Sequence, residues 1–357
     1  MKILYVTHQL AFNRCGGAEV QMAKTRKYIT NLDNELEIKY FDMWKDMIED
    51  YDMVHIFAPK AFPLESSRII RYSKEKNVKI AISPIFYETN ELIKDQVKLS
   101  FSGLLIGIYL FLRSLLFKIG FINYLTPYKF LYSSLKDSDV ILPNTNEELK
   151  LLSKMFPGIE TKCSVIPNGV DIKFKDGNSK LFESKYKIND FILFVGRIEH
   201  RKNLLRLIRA FIKSNLKTNL VIIGKIEDYD YYNLCKKESN EKVIFIPPMP
   251  HDSEILKSAY KSAKVLVLPS FLETPGLSAL EGGLAGTNIV ITKIGGTNEY
   301  FEDYAFYIDP FDEKDIQKAL ISAYNAPSTD ELSKHIQKEF TWDKVAQKTL
   351  DVYNLII

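Results

Sequence analysis

An arginine and a lysine behind an apolar run, and two glutamates on either side of a helix start, are the residues of this chain best placed to do chemistry. The first pair is Arg197 and Lys202, in Val195-Gly196-Arg197-Ile198-Glu199-His200-Arg201-Lys202. The second is Glu273 and Glu281, in Ser270-Phe271-Leu272-Glu273-Thr274-Pro275-Gly276-Leu277-Ser278-Ala279-Leu280-Glu281. Between the glutamates, Thr274 reads as an N-cap and Pro275 as the first helical residue, where a missing N–H does no harm. The N–H groups of Gly276 and Leu277 then have no partner inside the helix. With the positive end of the helix dipole, they suit a phosphate. Gly276 has no Cβ to hold an anion away. Leu277, Leu280 and Leu284 recur at helical spacing and are expected to face the core. Glu281 lies about 10 Å along the axis from Thr274. Cations and amide donors for a diphosphate, with carboxylates for sugar hydroxyls, fit a nucleotide-sugar ligand. The same segment also reads as a capped core helix carrying two surface glutamates.

The elements that must position these residues alternate between strand and helix. In the first half, Ile3 to Thr7 is a strand, followed by a loop with Gly16 and Gly17 and a helix from about Ala18 to Thr30. Further strands are expected at Glu37 to Tyr40, Met53 to Phe57, Val78 to Ile82, Val140 to Leu142 and Ser164 to Ile166. The second half repeats the plan. Strands are expected at Phe191 to Val195, Leu220 to Ile223, Val243 to Ile246, Val265 to Leu268 and Ile289 to Ile291, with an amphipathic helix from Asn203 to Lys213. Such an order predicts parallel sheets covered on both faces, with ligands outside the carboxyl ends of the strands. Turn-rich, polar Asn168-Gly169 and Asp176-Gly177-Asn178-Ser179 place a domain junction between Asn168 and Lys187. Thr341 to Ile357 reads as a terminal helix with Trp342, Val345, Ala346 and Tyr353 near one face.

Five blocks in order resemble the family 4 glycosyltransferases, retaining enzymes of the GT-B fold. They are Gly16-Gly17-Ala18-Glu19, Ile166-Pro167-Asn168-Gly169-Val170-Asp171, Val195-Gly196-Arg197 with Lys202-Asn203, Glu273 to Glu281, and Gly295-Gly296-Thr297-Asn298-Glu299. The resemblance spans nearly the whole length. It implies an α/β fold of two Rossmann-like domains facing across a cleft. The acceptor-side domain would be 1–170 with a helix of about 341–357 crossing back to it, and the nucleotide-sugar domain 171–340. It further implies Arg197 and Lys202 on the donor diphosphate, where negative charge grows as the sugar leaves, and Glu273 at the transferred sugar. Glu281 would accept from both ribose hydroxyls, and the main chain near Met249, in Pro247-Pro248-Met249-Pro250, would meet the base. The Gly16-Gly17 loop would approach donor and acceptor. It is no dinucleotide fingerprint, since the G-x-G-x-x-G spacing is absent.

Composition agrees with this reading. The 357 residues suggest two domains, and 46% hydrophobic residues can fill both cores. The 48 basic and 45 acidic residues leave a net charge of +3, which gives no case for nucleic acid, while the small basic excess suits an anionic membrane surface. Cys15, Cys163 and Cys235 show no metal-ligand spacing and cannot all pair, which points to a reducing cytoplasm. Met1 to Val6 reads as a strand rather than a signal peptide. Residues 101–125 are rich in Phe, Leu and Ile but interrupted by Arg113 and Lys118. They read as an interfacial helix for peripheral docking at the inner face of the cell membrane, or as a packing helix or dimer contact.

The chain departs from the family at two places. Glu273-Thr274-Pro275-Gly276 stands where many relatives have Glu-Gly-Phe-Gly, and the proline keeps a helix start. Many relatives also carry a His after the fourth strand of the first domain, where this chain has Ser83-Pro84-Ile85-Phe86-Tyr87-Glu88. Tyr87, Glu88 and His8 are the acceptor-side candidates. The reaction expected is transfer of a sugar from a UDP- or GDP-sugar to a saccharide hydroxyl, lipid-linked acceptors included, in surface polysaccharide or glycolipid synthesis. Neither a metal nor another cofactor is expected, because two protein cations can stand in for a divalent ion. The alternatives are an epimerase or phosphorylase of the same fold, and a catalytically silent sugar-nucleotide-binding subunit.

Overall fold

The computed structural model describes residues 1–13, 16–87 and 128–357. Glu88, Cys15 and the apolar stretch 101–125 lie outside the described residues. The chain divides into two compact units, Met1–Asn168 together with Trp342–Ile357, and Gly169–Thr341.

The first unit holds a five-stranded parallel sheet of β1 (Lys2–Val6), β2 (Glu37–Tyr40), β3 (Met53–Phe57), β4 (Lys79–Ser83) and β5 (Val140–Ile141), in the order β2-β1-β3-β4-β5. Its inner strands β1, β3 and β4 are short, mostly apolar runs buried on both faces, as inner parallel strands are, whereas the edge strand β2 is largely exposed. Helices α1 (Gly17–Leu32), α2 (Pro63–Glu75), α3 (Tyr128–Asp137) and α4 (Asn146–Met155) accompany them. Thr145 caps α4 by accepting the Glu148 N–H. The strand expected at Ser164 to Ile166 is absent. Only Cys163 bridges to Ile141, with Ser164 and Ile166 donating to the carbonyls of Ile141 and Pro143. β5 runs straight into Leu142-Pro143, and a proline has no N–H to continue the ladder.

The second unit holds a six-stranded parallel sheet of β6 (Phe191–Val195), β7 (Leu220–Ile223), β8 (Val243–Ile246), β9 (Ala263–Leu268), β10 (Asn288–Thr292) and β11 (Ala305–Ile308). The order β11-β10-β9-β6-β7-β8 is that of the doubly wound dinucleotide-binding fold, with its switch point between β6 and β9. Helices α5 (Ser179–Tyr186), α6 (Leu204–Ser214), α7 (Tyr229–Lys237), α8 (Glu254–Ser262), α9 (Leu277–Ala285), α10 (Glu313–Asn325) and α11 (Glu331–Glu339) cover it. α6 shows how sequence dictates placement: Leu204, Leu207, Ile208 and Phe211 recur on one face and are all buried. Four-residue β11, at the sheet edge behind the turn Glu302–Tyr304, was not foreseen from sequence. After Gly295-Gly296 the chain forms a single helical turn, Asn298–Phe301.

The terminal helix α12 (Trp342–Ile356) returns to the first unit and packs along α1. Its Tyr353 enters a buried chain of hydrogen bonds. The hydroxyl lies 2.9 Å from that of Tyr5 and 2.5 Å from His55 Nδ1, while His55 Nε2 lies 2.9 Å from Ser83 Oγ. Among the described residues, no helix is long and apolar enough to cross a membrane.

Candidate active site

The loops leaving β6 and β9 meet at the switch point of the second sheet, and Arg197, Lys202 and Glu273 sit there. β6 ends at Val195 and leads through Arg197, Glu199, Arg201 and Lys202 into α6. β9 ends at Leu268 and leads through Ser270 and Glu273 into α9. The main chain ties the two together, since the Phe271 N–H donates to the Arg201 carbonyl at 3.1 Å. A third loop, after β10, closes on them. Glu273 N–H donates to the Ile294 carbonyl at 3.2 Å, and Glu273 bridges to Gly295. A Cβ on Gly295 would stand 2.1 Å from the Glu273 carbonyl oxygen, at a φ of +101°, so only glycine permits this approach.

At the centre, Lys202 Nζ donates to Glu273 Oε1 at 2.5 Å, and Ser270 Oγ donates to the same oxygen at 2.6 Å. The two charged side chains are only 13% and 8% exposed. Burial pushes the Glu273 pKa up, but the charges of Lys202 and Arg201 and the bonds from Lys202 and Ser270 outweigh it and hold the carboxyl below the usual range. Burial pulls the Lys202 pKa down against the opposing attraction of Glu273. Glu199 gathers the other cations, with Oε1 3.3 Å from Arg201 and 3.6 Å from Arg197. Arg201 also donates to the Leu272 carbonyl at 3.3 Å, which joins its loop to that of Glu273. Arg197 is the most exposed of the three basic side chains.

The helix start differs in detail from the sequence expectation. Thr274 is not the N-cap and Pro275 is not the first helical residue. Their peptide bond is cis, the cap is Gly276 at φ +86°, and α9 begins at Leu277. A left-handed cap favours glycine, so the turn passes to Gly276 and the helix starts two residues later. Gly276 receives the N–H bonds of Ala279 and Leu280, so those of Leu277 and Ser278 precede the helix ladder and face outward. Leu280 and Leu284 are buried as expected, whereas Leu277 is half-exposed. Glu273 Oε2 lies 3.5 Å from where a Gly276 Cβ would be, so carboxylate and helix start are neighbours.

Glu281 lies one turn into α9 and is buried. His251 Nε2 stands 2.6 Å from its Oε1, and the Tyr260 hydroxyl donates to its Oε2 at 2.5 Å. Met249 is half-buried against the core. Its neighbours Pro247 and Pro248 line a cavity of about 340 Å³ with Ile198, Tyr229, Tyr232 and Phe245.

Gly16, Gly17, His8 and Tyr87 belong to the first unit. Glu19 joins two of these positions, accepting the Gly16 N–H at 2.7 Å and lying 3.0 Å from His8 Nε2. Tyr87 is exposed and accepts from Lys60 through its carbonyl. The structure thus brings together Lys202, Glu273 and Gly276, with Arg197 linked through Glu199. Glu281 forms its own cluster. Sequence reasoning missed Ser270, Glu199, His251 and Tyr260 as members of these groups. The only signal for Ser270 was its spacing of three from Glu273, and His251 and Tyr260 gave none.

Residues 178–340 match the family model described as Glycosyl transferases group 1. An uncharacterised glycosyltransferase of Methanocaldococcus jannaschii is 29% identical over 243 residues, covering 63% of this chain and 62% of that protein. A D-inositol 3-phosphate glycosyltransferase of Kribbella flavida is 28% identical over 241 residues, covering 60% and 56%. The matches thus span about three fifths of these relatives' length. Among solved structures, sucrose-phosphate synthase from Thermosynechococcus elongatus superposes with a TM-score of 0.73 at 14% identity, over 99% of both chains. HepE of Anabaena, in complex with UDP-glucose, does so with 0.73 at 14% identity over 99% and 100%. Residues 178–340 thus resemble a group 1 glycosyltransferase domain, and the two parallel-sheet α/β units have the GT-B fold of these structures.

Proposed function

We propose that the protein is a retaining, nucleotide-sugar-dependent glycosyltransferase of family 4, moving a sugar from a UDP- or GDP-sugar to a saccharide hydroxyl. The observation that carries this is the buried Lys202–Glu273 pair beside the start of α9, at the switch point of a sheet with group 1 sequence. The donor diphosphate would lie on the outward N–H groups of Leu277 and Ser278, with Arg197 and Lys202 against its oxygens. As the bond from the anomeric carbon to the phosphate oxygen breaks, negative charge grows on the diphosphate and these fixed cations stabilise it. Glu273 keeps its charge and faces the positive charge that develops on the sugar. The acceptor oxygen bonds to the anomeric carbon on the face the diphosphate leaves, and its proton passes to a diphosphate oxygen. Glu281 would hold the ribose, and the main chain near Met249 would meet the base beside the cavity behind Pro247 and Pro248. The two protein cations make a divalent metal unnecessary, so activity should survive a chelator. The acceptor is a saccharide, lipid-linked ones included, with the Gly16-Gly17 loop and His8 on its side. Surface polysaccharide or glycolipid synthesis at the cytoplasmic face of a membrane is the setting this chemistry suits.

A thermal-shift panel of sugar nucleotides tests the reading. The true donor at 100 times its Kd should add about 2.7 kcal/mol of stability. Arg197→Ala, at a half-exposed position, should keep the fold but lose the shift and slow transfer by about 10² to 10³. No shift with any sugar nucleotide, or an undiminished shift in Arg197→Ala, would refute it.

A further inference from the structure

The Glu281 carboxylate is gripped from two sides by groups that nothing in the family comparison assigns. Tyr260, fully buried on α8, donates its hydroxyl to Oε2. His251, on the loop between β8 and α8, sets Nε2 against Oε1. Phe174 stands edge-on to both rings, with centroids 5.4 Å from His251 and 5.6 Å from Tyr260. His251 Nδ1 faces Asp252 Oδ1 at 3.3 Å. A carboxylate only accepts, so Nε2 is the donor to Glu281.

A carboxylate has about four lone-pair positions, two on each oxygen. Tyr260 fills one on Oε2 and His251 fills one on Oε1, which leaves one on each. Two neighbouring hydroxyls donating together need that division, one acceptor position per oxygen. Without the two partners, the carboxylate could turn and offer both lone pairs of a single oxygen. We propose that His251 and Tyr260 are positioning residues that fix Glu281 to read the 2′,3′-diol of a ribose, so that they set the preference for ribonucleotide over deoxyribonucleotide donors. This rests on the donor-binding reading above and names how its sugar-nucleotide site selects.

Calorimetric titration with UDP, GDP and their 2′-deoxy analogues tests it in the full chain. Wild type should bind the preferred ribonucleotide about tenfold or more tightly than its 2′-deoxy form. Tyr260→Phe and His251→Ala should weaken the ribonucleotide about tenfold and leave the deoxy form nearly unchanged, so that the discrimination collapses. His251→Gln, which keeps a donor on the loop, should restore part of it. Equal weakening of both forms would mean that the cluster merely braces α8 against α9, and would overturn the proposal. So would intact discrimination in both variants, or none in wild type that binds UDP or GDP. Absence of any nucleoside diphosphate binding would instead sink the glycosyltransferase reading itself.

Discussion

Glu273 keeps its negative charge in a nearly closed site because Lys202 stands against it. Taking one partner away leaves a buried charge alone, which costs about 3–5 kcal/mol. Lys202→Ala should therefore lower the urea midpoint strongly and raise the Glu273 pKa, since burial is then less opposed. The double change Lys202→Met with Glu273→Leu should recover most of the stability and none of the transfer activity. A single Lys202→Ala as stable as wild type would remove the pair from the account. Arg197, Lys202, Glu273 and Glu281 were legible as residue types with spacing. His251 and Tyr260 were not, because they reach Glu281 from a different loop and helix, and only folding reveals which carboxylate they face.

Two glycines separate the geometry of the site from general backbone strain. Gly295 lies at φ +101° with its missing Cβ 2.1 Å from the Glu273 carbonyl, whereas Gly286, at φ +93°, has open space around it. Gly286→Ala should cost only the backbone term, about 1 kcal/mol. Gly295→Ala should cost more and also depress activity, because the loop bearing Glu273 must move. Equal losses of stability with unchanged activity would show that the loop after β10 does not set Glu273. At this scale the sequence announced most strands and the amphipathic α6, through runs and periods that local chemistry dictates. It misplaced the start of α9, because Thr-Pro has the composition of a cap whether or not the chain turns there. It missed β11, an edge strand in which Ile308 alone is fully buried.

Each unit has its own core, one built on β1 to β5 and the other on β6 to β11. The second is a single uninterrupted stretch, and the first needs α12. A fragment of residues 169–341 should fold and bind a nucleoside diphosphate, whereas 1–168 alone should not give a cooperative melt. A disordered 169–341 fragment would contradict this. The contact of α12 with His55, inside the first unit, should also respond to acid. Burial pushes the His55 pKa down to about 3, against 6.5 in an unfolded chain. Between those values the unfolded chain binds a proton that the native one refuses. Stability then falls with falling pH, by up to about 1.4 kcal/mol per unit. His55→Gln should be less stable than wild type at pH 8, and the gap should narrow toward pH 5. A gap that stays constant would show that His55 does not carry the acid response. The repeated α/β plan was readable from the order of apolar runs. The sharing of α12 was expected from resemblance alone, since Tyr353 shows no partner in its own neighbourhood of the sequence.

Because α12 leaves the ribosome only after the whole of Gly169–Thr341, a nascent chain completes its later half before its earlier one. Until then Tyr5 and His55 await Tyr353, and the face of α1 that α12 covers stays open to chaperones and proteases. Quality control of the first unit would thus be decided at α12.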